Sequence, residues 1–264
     1  MVLSAGAAVR IKMINGKHVT VVMPAYKAAQ TIERTWNALP QAIVDRVILV
    51  DDASPDDTVD VARKLGIEVI VHENNRGYGA NQKTCYNAAL SGGTDIVVMV
   101  HPDYQYEPRL VTAMAAMIES GVYSAVIGSR ILGGKARAGG MPLWKYIANR
   151  VLTAVENVML GAKLSEYHTG YRAFSVELLR QIRFDAGSDD FVYDNEMLAK
   201  IIIAGFPLGE ISVPAKYFAE ASSINFSRSV RYGFGVLGVG FQGLLWRLGL
   251  RSDGRFLTLP NSDN

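Results

Sequence analysis

The sequence predicts an α/β domain built on a mostly parallel central sheet with helices on both of its faces. Short apolar, β-branched runs alternate with segments of helical pattern through the first half of the 264-residue chain. These runs lack the alternation of polar and apolar residues that marks a half-exposed strand, so we interpret them as strands buried on both faces. Buried strands separated by helices are typical of β-α-β units, whose strands run parallel.

The turn residues between the apolar runs set the bounds of each element in the first half. The predicted strands are 19–23, 46–50, 67–71, 95–100 and 124–128, and the helices between them are 30–38, 58–65, 80–91 and 107–119.

One helix start has a specific capping signature. Ser54 is the expected N-cap, Pro55 takes the first helical position, and Asp57 completes a capping box. This helix is expected to stop at Gly66, because glycine readily adopts the left-handed conformation that ends helices.

The second half of the chain is less regular. The predicted elements are helices at 142–160 and 175–183, a helix capped by Ser188 that runs to residue 203, and a strand at 209–213. We divide the chain into a leader at 1–17, the main domain at 18–227, and a C-terminal amphipathic helix and tail at 228–264.

Composition narrows the class of protein. The net charge of +2 gives no strong field of the kind that attracts nucleic acid, so no nucleic-acid partner is expected. The single cysteine, Cys85, excludes an intramolecular disulfide and is typical of a reducing compartment. We therefore expect a cytoplasmic protein, either free or peripheral on the inner face of a membrane. No stretch is a convincing transmembrane span.

The most informative polar segment follows the fourth strand, where the chain reads His-Pro-Asp-Tyr-Gln at 101–105. Ligands of open α/β sheets bind just beyond the carboxyl ends of the strands. Asp103 and Gln105 offer hard oxygen ligands there, which suit Mg²⁺ or Mn²⁺. A plain polar turn is the alternative, and this segment by itself does not decide between them.

Five segments in order carry a resemblance to a known family. They are Val-Met-Pro-Ala-Tyr at 22–26, Asp-Asp-Ala-Ser-Pro-Asp-Asp at 51–57, Asn-Arg-Gly-Tyr-Gly at 75–79, the segment at 101–105, and Gly-Ser-Arg at 128–130. Their order and spacing resemble family 2 glycosyltransferases with the nucleotide-sugar-binding GT-A fold. Two later segments, Thr-Gly-Tyr-Arg-Ala-Phe at 169–174 and Asp-Asn-Glu-Met-Leu at 194–198, are similar to the branch with dolichol-phosphate mannose synthases and bacterial polyprenyl-phosphate sugar transferases.

The resemblance implies a nucleoside diphosphate sugar donor, either a UDP- or a GDP-hexose. The residues assigned to the donor are Pro24, Ala25, Tyr26, Asp51, Asp52, Lys83 and Pro102. A carboxylate can accept hydrogen bonds from a base N–H and a ribose hydroxyl, and the resemblance favours Asp52 over Asp51 for this role. The alternative is that both acids only complement the N-terminus of the next helix. The loop at 75–79 could present backbone N–H groups to phosphate.

Asp103 is the expected main metal ligand and a catalytic residue, with Gln105 in support. Related enzymes usually carry Asp-x-Asp at this strand end, and His101 stands at the position of the first Asp. His101 is a metal ligand, a donor to phosphate, or a group that only supports the ligands. A divalent ion here would offset the charge on the leaving diphosphate.

Basic residues are expected to position phosphates, because arginine forks match phosphate oxygens in pairs. Arg130 and Arg172 are assigned to catalysis, and the acceptor or its phosphate is assigned to Lys145, Arg150, Ser222 and Ser223. A surface charge is the alternative for each cation.

Asp194 and Glu196 are two residues apart on a predicted helix, so at most one of them points into the site. The resemblance favours Glu196. A sugar hydroxyl acceptor would need a carboxylate base, whereas a lipid phosphate is already an anion.

The tail at 232–250 is apolar but contains six glycines, each of which destabilises a helix by about 0.5–1 kcal/mol relative to alanine. Its flanking arginines fit a helix lying on an anionic membrane surface. They fit equally a helix that docks on its own domain or on the second subunit of a homodimer.

These observations predict a metal-dependent, inverting glycosyltransferase that moves a hexose to a polyprenyl phosphate. The alternatives are transfer to a sugar hydroxyl in polysaccharide or glycolipid assembly, and a non-catalytic nucleotide-sugar-binding regulator.

Overall fold

The computed structural model describes residues 14–134, 136–214 and 226–250. The strands are β1 Val19–Ala25, β2 Arg46–Asp51, β3 Glu68–Val71, β4 Ile96–Met99, β5 Ala125–Ser129, β6 Arg172–Ser175 and β7 Leu208–Ser212. The helices are α1 Ile32–Ala38, α2 Thr58–Lys64, α3 Tyr78–Leu90, α4 Val111–Glu119, α5 Leu143–Leu160, α6 Val176–Gln181, α7 Tyr193–Ile203 and α8 Phe226–Arg247, and a 3₁₀ turn at Pro108–Leu110 leads into α4.

The seven strands form one sheet in the order β3-β2-β1-β4-β6-β5-β7. All neighbours are parallel except β6, which runs antiparallel to both β4 and β5. The predicted α/β class is confirmed. Six strands therefore end at the same edge of the sheet, and β6 begins there.

The sheet is covered on both faces, as the apolar runs predict. All seven residues of β1 are buried, and alternate side chains serve two cores. Val21 and Met23 pack with residues of α1 and α4, whereas Val22 packs with residues of α3 and α7. This double burial holds the strand ends in fixed positions, and loops that follow them can carry a site.

One predicted helix cap and one predicted helix start are wrong. Helix α2 begins at Thr58, as its predicted range has it, but Ser54 is not its N-cap, and Asp56 Oδ1 accepts from Thr58 N–H instead. The Ser54 hydroxyl instead accepts from Lys27 N–H, linking the loops after β1 and β2. Helix α7 begins at Tyr193, five residues after Ser188. The predicted stop at Gly66 is confirmed by its φ of 75°.

The C-terminal region forms one 22-residue helix, α8, despite its glycines. A Cβ at Gly240 would lie 2.8 Å from Met159 of α5, and one at Gly243 would overlap Leu160. These glycines let α8 approach α5 closely. Val239 and Trp246 share a core with Leu198 of α7, so α8 docks on its own domain.

In the part of the chain that the structure describes, no helix combines the length and apolar character that a membrane crossing requires. Ser222, Ser223, most of the predicted leader, and the tail after residue 250 lie outside the described residues.

Candidate functional site

The sequence-predicted site residues gather where the strands end. Tyr26 follows β1, Asp51 ends β2, Asp103 follows β4, Arg130 follows β5, and Arg172 begins β6. Since β6 pairs Arg172 with Met99 of β4 and Ile127 of β5, its first residue lies between two strand ends. The edge thus brings the donor, metal and phosphate candidates into one region.

Asp51 and Asp52 are both buried, but their hydrogen bonds differ. Asp52 accepts from Arg76 N–H at 2.8 Å and Gly77 N–H at 3.0 Å, and its Oδ1 lies 2.7 Å from His72 Nδ1. Asp51 Oδ2 accepts from Ser54 N–H, while its Oδ1 has no hydrogen-bond partner among the described residues. Buried polar atoms are nearly always paired. Asp51 is therefore the acid of this pair that can still accept a hydrogen bond from a ligand.

The glycine-bearing loop at 75–79 does not present its N–H groups to a ligand in the way the sequence suggested. Arg76 and Gly77 donate to Asp52, and Gly79 donates to the Asp189 carbonyl. A Cβ at Gly77 would lie 2.5 Å from that same carbonyl oxygen. The glycines therefore allow two loops to meet closely before α3 begins.

Three non-glycine residues beyond these strand ends adopt the left-handed conformation. Lys27, Ala53 and Tyr104 have φ angles of 56°, 57° and 57°. Such conformations are strained by about 1–3 kcal/mol and cluster at functional sites. Lys27 follows Tyr26, Ala53 follows Asp52, and Tyr104 follows Asp103. The strained turns therefore lie next to the predicted site residues.

The segment at 101–105 alternates between exposed and buried side chains. His101, Asp103 and Gln105 are partly exposed, whereas Pro102 and Tyr104 are buried. Asp103 Oδ1 accepts from Gln105 N–H at 3.0 Å, which fixes the turn. Among the described residues, no three His, Cys, Asp or Glu side chains converge on a point that could hold a metal. The oxygen donors of Asp103 and Gln105 fit a hard divalent cation as a partial ligand set.

His101 belongs to a partly buried chain of hydrogen bonds. The Tyr78 hydroxyl donates to Asp194 Oδ2 at 2.9 Å, and its oxygen lies 3.0 Å from His101 Nε2. Burial and the Asp194 charge raise the pKa of Tyr78, so its single proton stays in place. His101 Nε2 must then carry a hydrogen and donate to Tyr78. In this tautomer, only Nδ1 of His101 keeps a lone pair that could bind a metal or accept a hydrogen bond.

Asp194, rather than Glu196, points toward His101. Gln82 donates to Asp194 Oδ1 at 2.9 Å, opposite the Tyr78 bond. Glu196 Oε2 accepts from Ser188 N–H at 2.6 Å and thus supports the loop before α7. The two acids do lie on different faces of the helix, as their spacing predicts, and the catalytic role of Glu196 stays a prediction.

Arg172 has a different role from the expected contact with phosphate. Its guanidinium is fully buried and donates to the carbonyls of Thr169, Asp194 and Tyr167. Its Nη1 also lies 3.6 Å from Asp194 Oδ1. The predicted direct role is therefore corrected: Arg172 positions the start of α7 and its carboxylate.

Arg130 also has protein partners. Its guanidinium donates to Glu166, which is fully buried, and to the His168 carbonyl. Lys145 stands close enough that Arg130, after burial, lowers its pKa. Lys145 has no ion-pair partner among the described residues, which leaves its charge available to an added anion.

Two other predicted phosphate contacts are engaged elsewhere. Lys83 Nζ donates to the Gly187 carbonyl at 2.5 Å and pairs with Asp189 at 2.9 Å. Arg150 Nη1 donates to the Ser165 carbonyl at 2.8 Å. Both side chains fasten neighbouring loops.

A second buried polar cluster lies beneath α8. Tyr232 donates to Asn195 Oδ1 at 2.5 Å, and Asn195 donates to Glu156 Oε1 at 2.7 Å. His168 Nδ1 lies 2.9 Å from the Tyr232 hydroxyl, and its Nε2 lies 3.5 Å from Glu156 Oε2. The last two atoms are buried and have no hydrogen-bond partner among the described residues.

A proton on the Glu156 carboxyl explains why Glu156 Oε2 and His168 Nε2 face each other. Burial raises the pKa of Glu156 to about 8, and burial lowers the pKa of His168 to about 3. Both groups are therefore neutral at pH 7, and the contact is not an ion pair. The protonated carboxyl faces the His168 lone pair, and the four side chains then form a closed ring that joins α5, α7 and α8.

Sequence reasoning missed Tyr78, Gln82, Glu166 and this ring. Tyr78 lies inside a quoted motif, yet nothing local distinguishes it from a core aromatic. Their partners are distant in the chain: Tyr78 and Asp194, for example, are 116 residues apart. A Cβ at Gly170 would overlap His101, so this glycine allows the close approach of the two segments.

Comparison with known proteins gives three findings. A model of glycosyl transferase family 2 matches residues 20–183. An uncharacterized protein of Methanocaldococcus jannaschii is 31% identical over 86% of this chain and 93% of its own length. The UDP-N-acetylglucosamine–dolichyl-phosphate N-acetylglucosaminyltransferase of Methanococcus voltae is 27% identical over 83% and 93%.

Among solved structures, glucosyl-3-phosphoglycerate synthase of Mycobacterium tuberculosis has the same fold. Its complex with Mn²⁺, UDP and glucosyl-3-phosphoglycerate aligns with a TM-score of 0.65 and 20% identity, covering 91% of this chain and 83% of that one.

Proposed function

This chain belongs to glycosyl transferase family 2 and is a glycosyltransferase, and we propose that it moves a hexose, with inversion, from a nucleoside diphosphate sugar to a polyprenyl phosphate. The observation that carries the proposal is the partly exposed Asp103 at the end of β4, on the edge where Asp51 keeps an unsatisfied oxygen. A nucleoside diphosphate sugar needs one carboxylate that holds the metal on its phosphates and another that binds its nucleoside. Asp103 and Asp51 are the candidates for these two contacts.

Asp51 is proposed to hold the nucleoside, in place of the Asp52 favoured by the sequence. Oδ1 of Asp51 has no partner among the described residues and can accept a hydrogen bond, whereas both oxygens of Asp52 already accept from the loop after β3. Tyr26 is half-exposed beside it, so its ring can pack on a base or ribose.

Asp103 and Gln105 are proposed to hold Mg²⁺ or Mn²⁺ together with the donor phosphates. When bound, the ion would offset the negative charge of the departing diphosphate. The M. tuberculosis neighbour in complex with Mn²⁺ and UDP supports this choice of cofactor. His101 orients the turn through its bond with Tyr78 and offers only Nδ1 to the phosphate side.

The acceptor is proposed to be a lipid phosphate that Lys145 helps to bind. The pKa of Lys145 is lowered by burial and by a neighbouring cation, and an added phosphate would offset both effects by favouring the charged ammonium. The M. voltae relative, named for a dolichyl-phosphate acceptor, supports this class. A phosphate needs no strong base, which agrees with an Asp194 carboxylate that already accepts from Tyr78 and Gln82.

Transfer to a sugar hydroxyl is the second candidate, because Asp194 is linked through Tyr78 to His101 beyond β4 and could act as a base. The two candidates differ in how they depend on this group. Asp194→Asn should leave transfer to a phosphate within about tenfold, but should reduce transfer to a hydroxyl by about 10²–10⁴-fold.

The test is transfer from UDP- and GDP-hexoses to a polyprenyl phosphate, with Mg²⁺, Mn²⁺ or EDTA present. Asp103→Ala is expected to abolish transfer and the response to metal, while circular dichroism shows a folded protein. Asp185→Ala, which removes an exposed carboxylate elsewhere, is the matched control. Transfer by Asp103→Ala at the parent rate would refute the metal assignment.

A further inference from the structure

Helix α5 has its polar and apolar faces reversed relative to a helix on a water-exposed surface. The side chains it turns inward include Asn149, Thr153 and Glu156, which are all buried. Its exposed large apolar residues are Leu143, Trp144, Ile147, Val151 and Val158. Their spacing places them on one stripe of the helix. A helix with apolar side chains facing outward requires a partner for that stripe.

Helix α8 has a similar exposed stripe. Val230, Phe234 and Phe241 are exposed, and Phe234 is 72% exposed. Leu248 and Leu250, just after the helix, are exposed as well. Residues 230, 234 and 241 fall within a narrow angular sector, because a residue advances the helix by about 100°.

The two helices pack side by side. Gly240 lies against Met159 and Gly243 against Leu160. Arg247 of α8 donates to the carbonyls of Val158 and Met159 at the end of α5. Ten of the fourteen exposed large hydrophobic residues in the described part of the chain belong to these two helices and to residues 248–250. We refer to these ten side chains as the α5–α8 face.

The charged residues of α5 and α8 that are not buried are all basic. The only acidic residue in α5 is Glu156, which is buried, and α8 contains none. Lys145 and Arg150 lie on α5, and Arg231 and Arg247 on α8. A second copy of this chain would bring like charges together. An anionic lipid surface offers the opposite charge and an apolar layer beneath it.

We propose that the α5–α8 face docks on an anionic membrane surface, with its apolar side chains in the layer below the headgroups. Helix α5 begins beside Lys145, so docking brings the phosphate-binding edge to the lipid surface. That last consequence rests on the proposed lipid-phosphate acceptor. The docking itself rests on the exposed stripes and their charge.

The test is co-sedimentation with vesicles in the absence of donor and acceptor. Vesicles of phosphatidylcholine with about one-third phosphatidylglycerol are expected to sediment the protein. Pure phosphatidylcholine or high salt should weaken binding. Ile147→Ser/Val151→Ser is expected to lower the partition coefficient at least tenfold. Val71→Ser/Val122→Ser, which changes two exposed valines elsewhere, is the matched control and should bind like the parent.

Tryptophan quenching by brominated lipids reports the orientation. Quenching should fall with Trp144→Phe and persist with Trp36→Phe, because Trp36 lies on α1, while Trp246 of α8 remains in both variants. The proposal is overturned if the protein remains in the supernatant, if the α5–α8 variant binds like the parent, or if light scattering shows that this face instead forms a dimer. Retained vesicle binding with no sugar transfer would count against the proposed function alone.

Discussion

Asp51 and Asp52 are adjacent in sequence, yet their surroundings give them different tasks. Asp52 is held by two backbone N–H groups and faces His72, which lies 20 residues away in the chain. Asp51 keeps one oxygen without a partner among the described residues. The sequence could predict an acidic pair at a strand end. It could not assign the pair, because the loop that donates to Asp52 is brought there only by the fold.

Asn replacements should separate the two tasks. Asp52→Asn puts an amide group against backbone N–H donors, so the free energy of unfolding should fall by about 2–3 kcal/mol. Asp51→Asn should change stability by less than about 1 kcal/mol but raise the Kd for the donor nucleotide about tenfold, a loss of about 1.4 kcal/mol. Urea unfolding and calorimetric titration measure these quantities. Equal effects of the two variants on both would contradict the assignment.

His101 provides the second test of a single residue. Tyr78→Phe removes the acceptor of the Nε2–H bond and leaves Asp194 with one hydrogen bond fewer. We expect a loss of about 1–2 kcal/mol in stability, and a population of His101 that carries its proton on Nδ1. Imidazole ¹⁵N shifts distinguish the two tautomers. An unchanged His101 spectrum in Tyr78→Phe would show that Tyr78 does not set the tautomer.

At the level of whole helices and strands, α8 shows why a sequence rule can fail locally. Its glycines lower helix propensity, but Gly240 and Gly243 are contact points with α5, and the packing they allow offsets their intrinsic disadvantage. The sequence cannot reveal this, since the contact depends on which faces of two distant helices meet. Strand β6 was missed for a related reason. Its Arg-Ala-Phe-Ser sequence lacks an apolar run, and its buried arginine is satisfied by carbonyls contributed by other segments.

Two alanine substitutions in α8 should have opposite signs. A Cβ at Gly243 would overlap Leu160 and lie 3.2 Å from Ile203, so Gly243→Ala should destabilise the protein by about 1–3 kcal/mol. Gly238 has nothing within 4 Å of the added Cβ, so Gly238→Ala should stabilise it by about 0.5–1 kcal/mol. Thermal unfolding of the pair tests this. Two destabilising results would mean that helix propensity does not govern Gly238.

For the molecule as a whole, the β-α-β pattern predicted the parallel strands and their covering helices, because each unit is local in sequence. The antiparallel β6 and the pairing of β5 with β7 join segments far apart, so no local pattern reports them. The same division applies to the site: strand-end residues were predictable, whereas the Asp194 and Glu156 networks were not.

The ring around Glu156 predicts how stability depends on pH. Glu156 has a raised pKa of about 8, so its contribution is present at low pH and declines as pH rises toward 8. His168 has a lowered pKa of about 3, so its contribution declines as pH falls from 6.5. The two slopes oppose each other between about pH 4.5 and 6.5, and only Glu156 acts above that range. The positive charge of Arg172 limits the rise in the pKa of Glu156, because it favours the charged carboxylate.

We therefore expect the free energy of unfolding to fall by about 2 kcal/mol between pH 6.5 and 8. Glu156→Gln imitates the protonated carboxyl, donating to His168 and accepting from Asn195, and should flatten this slope. Urea unfolding across the pH range compares the two proteins. A slope of equal size in Glu156→Gln would assign it to another group.

The strand order also has a consequence for how the chain folds during synthesis. Strands β1 to β4 and the helices between them use partners already made, so this half can form early. Strand β5 is completed on its outer side only by β7, about 80 residues later, and α8 follows both. Helix α5 therefore waits for α8 until the catalytic edge has been assembled. The α5 half of the apolar face is thus synthesised before β6, α7 and β7, and the face is completed only when α8 packs on α5.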